Sequence, residues 1–267
     1  MNTGRPLQRC GITSIALLTL VVSSGCERPP APAAPVAEAP DAAKLLAQMF
    51  DTLARARQLT FTATRHLDAA LMTGATAAES AELEVWVSRP QMVRARAVSD
   101  AGVRMIYVDG KDVSLFDEKM KVYATVPLAG TLDEVVDALD DRYGFTPPLA
   151  EFVLNDPGRK FAPHIQGTTY KGKDALNGVD CHRLALTGEV ADAELWIGAA
   201  DHLPRKFVAT FKDREGSPQL KVDFADWNTA ATLEPSAFAF EPPKDAEKIA
   251  MARIDETNAV ATRGRKQ

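Results

Sequence analysis

Four histidines, His66, His164, His182 and His202, are the side chains best suited to proton transfer or metal ligation. No two stand two or four positions apart, so neither a strand nor a helix presents a histidine pair on one face, and no HExxH occurs. Cys181 directly precedes His182, which suggests a thiolate–imidazole pair. Neighbours on a strand point to opposite faces, so that pair cannot form, and Cys181 reads as a core residue. Asp140-Asp141, near a helix end, suits a cation, but a solvated helix terminus is the simpler reading. Arg205 and Lys206 follow Pro204 at a turn and suit a lipid phosphate, an acidic partner or plain solvent. There is no GxSxG, P-loop or GxGxxG. No catalytic cluster, metal site or cofactor is therefore expected. The remaining candidates bind rather than react. Trp86, Trp196 and Trp227 fall on strand-like stretches, where an aromatic ring can line a cavity or lie beneath a lid.

The elements that must position these residues follow from periodicity. Residues 41–57 carry Leu45, Leu46, Met49, Phe50 and Leu53 at helical spacing, with Asp41 as N-cap. The period then changes to two. "AELEVWVS" sends Leu83, Val85 and Val87 one way and Glu82, Glu84 and Trp86 the other. Similar runs follow to Pro127, with turn signals at Asp109-Gly110 and at residues 117–119, giving a meander of about six strands. "TLDEVVDALDDRYG" interrupts it. Thr131 and Glu134 form a capping box, and Leu132, Val135, Val136 and Leu139 form an apolar stripe. "LAEFVLND" reads as a second short helix, and about five more strands follow, ending at "QLKVDFADWN". The expected fold is α+β, mainly β: a strongly curved antiparallel sheet or half-open barrel of about eleven strands, covered by helices.

The N-terminus reads as a secretory signal. Arg5 and Arg9 precede an apolar run from Ile12 to Val22, too short to span a bilayer, and then the small residues Ser23, Ser24 and Gly25. The small-small-Cys ending resembles a bacterial lipobox, with Ser23 where Leu is usual, and makes Cys26 the expected lipid-attachment site. The alternative is plain secretion. Residues 27–40 are rich in Pro and Ala and read as a semi-rigid tether reaching about 3 Å per residue. Residues 41–245 form one expected domain, and residues 246–267 read as a mobile tail. Glu27 is not the Asp that resembles an inner-membrane retention signal, which favours the outer membrane. Net charge is −5 with no basic stripe, which excludes nucleic acid as a partner. Three cysteines, one of them within the signal and one at the anchor, exclude a disulfide framework.

"YKGKDALNGVDCHRLAL" (170–186), "ELWIGAADHLPRKFVATF" (194–211) and the closing "DFADWN…LEPSAFAFEPP" resemble segments of the LolA-like lipoprotein-carrier superfamily. Within it they look most like the predicted periplasmic proteins grouped as DUF2092. Gly198 stands where an Asp commonly follows the Ile. The resemblance covers about residues 41–245 and implies a half-open barrel whose apolar interior takes acyl chains, lipids or acylated proteins. Each methylene buried there is worth about 0.8 kcal/mol. Leu132, Val136 and Leu139 on the inserted helix, with the three tryptophans, are the expected ligand-lining residues. The resemblance also allows an envelope protein-interaction or sensor module with a filled core and no cargo.

Overall fold

The computed structural model describes residues 39–72 and 74–254. Helix α1, Ala42–Arg55, starts where Asp41 Oδ1 accepts from the backbone N–H of Ala43 at 2.9 Å and of Lys44 at 3.2 Å, and buries Leu45, Leu46, Met49 and Leu53. The first meander is β1 Gln58–Leu67, β2 Glu79–Ser88, β3 Met92–Ser99, β4 Gly102–Asp109, β5 Asp112–Asp117 and β6 Val122–Pro127. Three helices follow: α2 Leu132–Tyr143, α3 Ala150–Val153 and α4 Gly158–Phe161. The second meander is β7 Gly167–Leu176, β8 Val179–Thr187, β9 Ala191–Gly198, β10 Pro204–Phe211 and β11 Gln219–Asn228.

Pairing of β1 with both β2 and β11 fuses the two meanders into one open, curved sheet. Its order is β12-β6-β5-β4-β3-β2-β1-β11-β10-β9-β8-β7, where β12 is Glu247–Lys248. All pairs are antiparallel except β12 with β6. Register fixes the faces. The concave row Leu59, Phe61 and Ala63 of β1 aligns with Val87, Val85 and Leu83 of β2, and all six are buried.

The sequence reading of residues beyond 245 as a loose tail is corrected for those described. After β11 the chain crosses the convex face. Phe238 is fully buried there, and Phe240 packs on Tyr107, Phe116 and Tyr123. Asp245 pairs with Lys121 at the far edge. Glu247 N–H donates to Lys121 O at 2.8 Å and Ile249 N–H to Tyr123 O at 2.8 Å. The chain then rounds the edge of β6 and packs Met251 against the core on the concave side. Two exposed charged residues in an edge strand carry no periodicity, so pattern reading passes over this strap. The expected signal segment, Cys26 and residues 27–38 of the expected tether lie outside the described residues, as do residues 255–267.

Candidate functional site

The concave side of β2–β6 is not filled. A cavity of about 490 Å³ lies between these strands and α2. Its roof is Leu132, Val135, Val136 and Leu139 of α2, with Leu149, Ala150 and Val153 around α3. Its floor is short side chains: Ala81, Val85, Val93, Ala95, Ala97, Gly102, Val108 and Ala124, with Leu83, Ile106 and Leu115. Ile249, Ala250 and Met251 of the strap close the β6 side. The space exists because the inward register positions hold small residues while α2 stands off at the height its own Leu and Val stripe sets.

One end of the cavity is polar. Arg65 takes the inward position that Leu59, Phe61 and Ala63 take earlier on β1, and Glu79 does the same on β2. Arg65 Nη2 donates to Glu79 Oε1. Nearby, Arg104 Nε donates to Asp117 Oδ2 at 3.2 Å, and the two sit opposite each other on β4 and β5. Asp117 also accepts the Met120 backbone N–H. That bond, more than Arg104, holds its carboxyl below the ordinary range.

The roof is fastened at both ends. Thr131 accepts from Glu134 N–H at 3.3 Å while Glu134 accepts from Thr131 N–H at 2.8 Å, completing the capping box. Asp133 in the first turn of α2 accepts from the backbone N–H and side-chain amide of Asn155, at 2.8 and 2.7 Å, tying down the chain after α3. Arg89 donates from Nε to Leu154 O at 3.0 Å and from Nη1 to Ala56 O at 2.7 Å, joining the ends of α3 and α1. Burial pushes Arg89 down to about 10, partly opposed by Asp133. Glu151 on α3 is raised by burial, with a smaller opposing pull from its own backbone N–H.

The model of the family described as predicted periplasmic protein (DUF2092) matches residues 42–252. This chain belongs to the DUF2092 family. No curated protein matches it. Among solved structures, an uncharacterized conserved protein from Thermus thermophilus is 14% identical with a TM-score of 0.47 and covers 78% of this chain and 98% of its own. Lipoprotein LppX from Mycobacterium tuberculosis is 14% identical with a TM-score of 0.44, covering 72% and 97%. LolA superfamily protein NE2245 from Nitrosomonas europaea is 11% identical with a TM-score of 0.37, covering 76% and 99%.

In this DUF2092 chain, Leu132, Val136 and Leu139 line the cavity as the helical stripe predicts. The three tryptophans do not, which corrects the sequence reading. Trp86 lies on the convex face, opposite Arg94 in the β2–β3 register and 4.8 Å from its guanidinium. Trp196 is buried on that same face between Arg183 and Lys206, and its Nε1 donates to Asp174 at 2.9 Å. Trp227 follows Asp226, whose φ of 52° marks a bulge where the β1–β11 register slips. The bulge turns its ring inward to stack on Phe61 at 4.4 Å, within a packed region away from the cavity.

Cys181 is buried, and burial raises its thiol. His182 meets Tyr170 at 3.2 Å instead. Arg205 pairs with Asp201 and Lys206 with Asp223, so the β9–β10 turn spends its cations internally. At Gly198 a side chain would meet Asp201 Oδ1 at 2.3 Å, so the space the missing Asp would need is already taken. Asp140 accepts from Thr146 at 3.1 Å, and the described residues contain no group able to hold a metal.

The sequence reading missed Arg65, Glu79, Arg104 and Asp117. The signal was present: a charge breaks the inward alternation at the same end of neighbouring strands. Arg89 and Met251 gave no such signal.

Proposed function

We propose that this protein is a non-catalytic envelope protein that holds an apolar chain, from a lipid or an acylated protein, in the cavity beneath α2. The cavity itself carries the reading. At about 490 Å³ it falls in the size range of ligand sites, roughly 300–1,000 Å³, and has their mix of an apolar body with a few polar groups. The family's description as predicted periplasmic proteins supports an envelope setting. The proposed anchor is an acylated Cys26 in the outer membrane, with the Pro/Ala stretch as its reach. That arrangement suits an anchored receptor or acceptor better than a diffusing shuttle.

Native mass spectrometry tests the reading. The full chain carrying Cys26→Ser is secreted into a bacterial periplasm and purified without detergent. A discrete added mass identified as lipid is the expected result. A bare protein mass that persists in lipid-supplemented samples overturns the reading and favours the protein-interaction alternative.

A further inference from the structure

Arg65 is placed where a guanidinium is costly. Its side chain is only 13% exposed, and its direct cross-strand partners are Ala81 and Val222, whose side chains carry no acceptor. Only Nη2 finds an acceptor among the described residues; Nε is sealed from solvent with none, as single nitrogens of Arg89, Arg94 and Arg183 are elsewhere, and Nη1, neither sealed nor hydrogen-bonded, is the donor a ligand can reach. A guanidinium carries five N–H donors and no acceptor, and leaving buried donors unmet is unfavourable. The neighbouring acids do not show the same deficit. Glu79 is paired and 24% exposed, and Asp117 is met by Arg104 and the Met120 N–H. The unmet demand at this end is for an acceptor, and a second cation, Arg104, stands nearer solvent at 63% exposure.

We propose that this end is a head-group subsite: the occupant is an amphiphile whose chain lies under α2 and whose oxyanion, carboxylate or phosphate, is received by Arg65, with Arg104 at the mouth. The inference rests on the apolar-chain reading above and adds the polarity and direction of the ligand. An oxyanion accepts two guanidinium donors at once, which a hydroxyl cannot do equally. Glu79 keeps the guanidinium oriented and limits how tightly the anion is held.

The test titrates the full chain carrying Cys26→Ser with dodecanoate, dodecyl phosphate and dodecanol below their micelle concentrations. Both anions are expected to bind about tenfold or more tightly than the alcohol, and Arg65→Gln brings that ratio to about one. Arg65→Lys restores part of it. Glu79→Gln raises anion affinity, and it answers the question independently if Arg65→Gln fails to fold. Comparison of the two anions identifies the head. Equal affinity for anion and alcohol, or a ratio untouched by both substitutions, overturns the head-group inference and leaves the apolar-chain reading standing. Failure of all three probes to bind overturns both.

Discussion

The two halves of the sheet share one alternation and reach different ends. The side of β8–β11 that faces the helices carries an aromatic cluster. Phe152 of α3 meets Phe224 at 4.7 Å, Phe161 at 5.4 Å and Phe207 at 5.9 Å, while Phe61 and Trp227 stack alongside. Helix α1 joins the same cluster through Phe50, 5.6 Å from Phe161. Across β2–β6 the equivalent positions hold mainly Ala and Val, with Leu83, Ile106 and Leu115 but no aromatic cluster, and the cavity lies above them. Side-chain volume, together with the standoff of α2, separates the filled half from the half that holds the cavity. The aromatic half gives the rigidity that lets the other stay unfilled, since a cavity must be maintained by its surroundings.

The sharpest way to break this comparison is Phe152→Ala. In a filled region the loss should be about 3–5 kcal/mol in urea denaturation. A cost below about 1 kcal/mol would show that the second half is as loose as the first. Next in size is a paired enlargement. Ala209→Leu, on buried β10, should cost about 1–3 kcal/mol by overpacking. Ala97→Leu, on the cavity floor, should change stability by less than about 1 kcal/mol while weakening dodecanol binding. Equal costs at the two sites would mean that the container wall is as tight as the core.

The smallest expected effect concerns the join between the halves. Asp137 on α2 pairs with Arg159 and Lys160 on α4, next to Phe161 of the aromatic cluster. Hydrogen bonds from Arg159, then Lys160, hold the Asp137 carboxyl below its ordinary value. A depressed carboxylate stabilises the fold above the unfolded-state value, about pH 4, and loses that contribution as pH falls through the folded value. Hydrogen exchange of α4 amides should differ between the parent and Asp137→Asn near neutrality and converge in acid. A difference that stays constant with pH would remove the pair from the account.

Most of the architecture was legible because it rests on local signals. The alternation of "AELEVWVS", the Thr131 capping box and the turn at Asp109-Gly110 each act within a few residues, and each stands in the structure where the sequence places it. The site was legible in part. The α2 stripe faces inward because a helix with one apolar side has one way to bury it. Trp227 was not readable, because the bulge at Asp226 reverses the facing that strict alternation gives. Trp86 and Trp196 were misassigned because burial does not say which face does the burying. Arg65 was visible only as a charge in an inward slot, and its meaning depends on Glu79 from another strand.

The strap has a further consequence, for solubility. An open sheet keeps two edges, and bare edges invite strand-to-strand polymerisation. Here β12 occupies part of the β6 edge. At the opposite end, β7 is interrupted by a bulge between Tyr170 and Gly172 and studded with Lys171, Lys173 and Asp174, features that discourage an incoming strand. The barrel can therefore stay unclosed without becoming a template for its own aggregation.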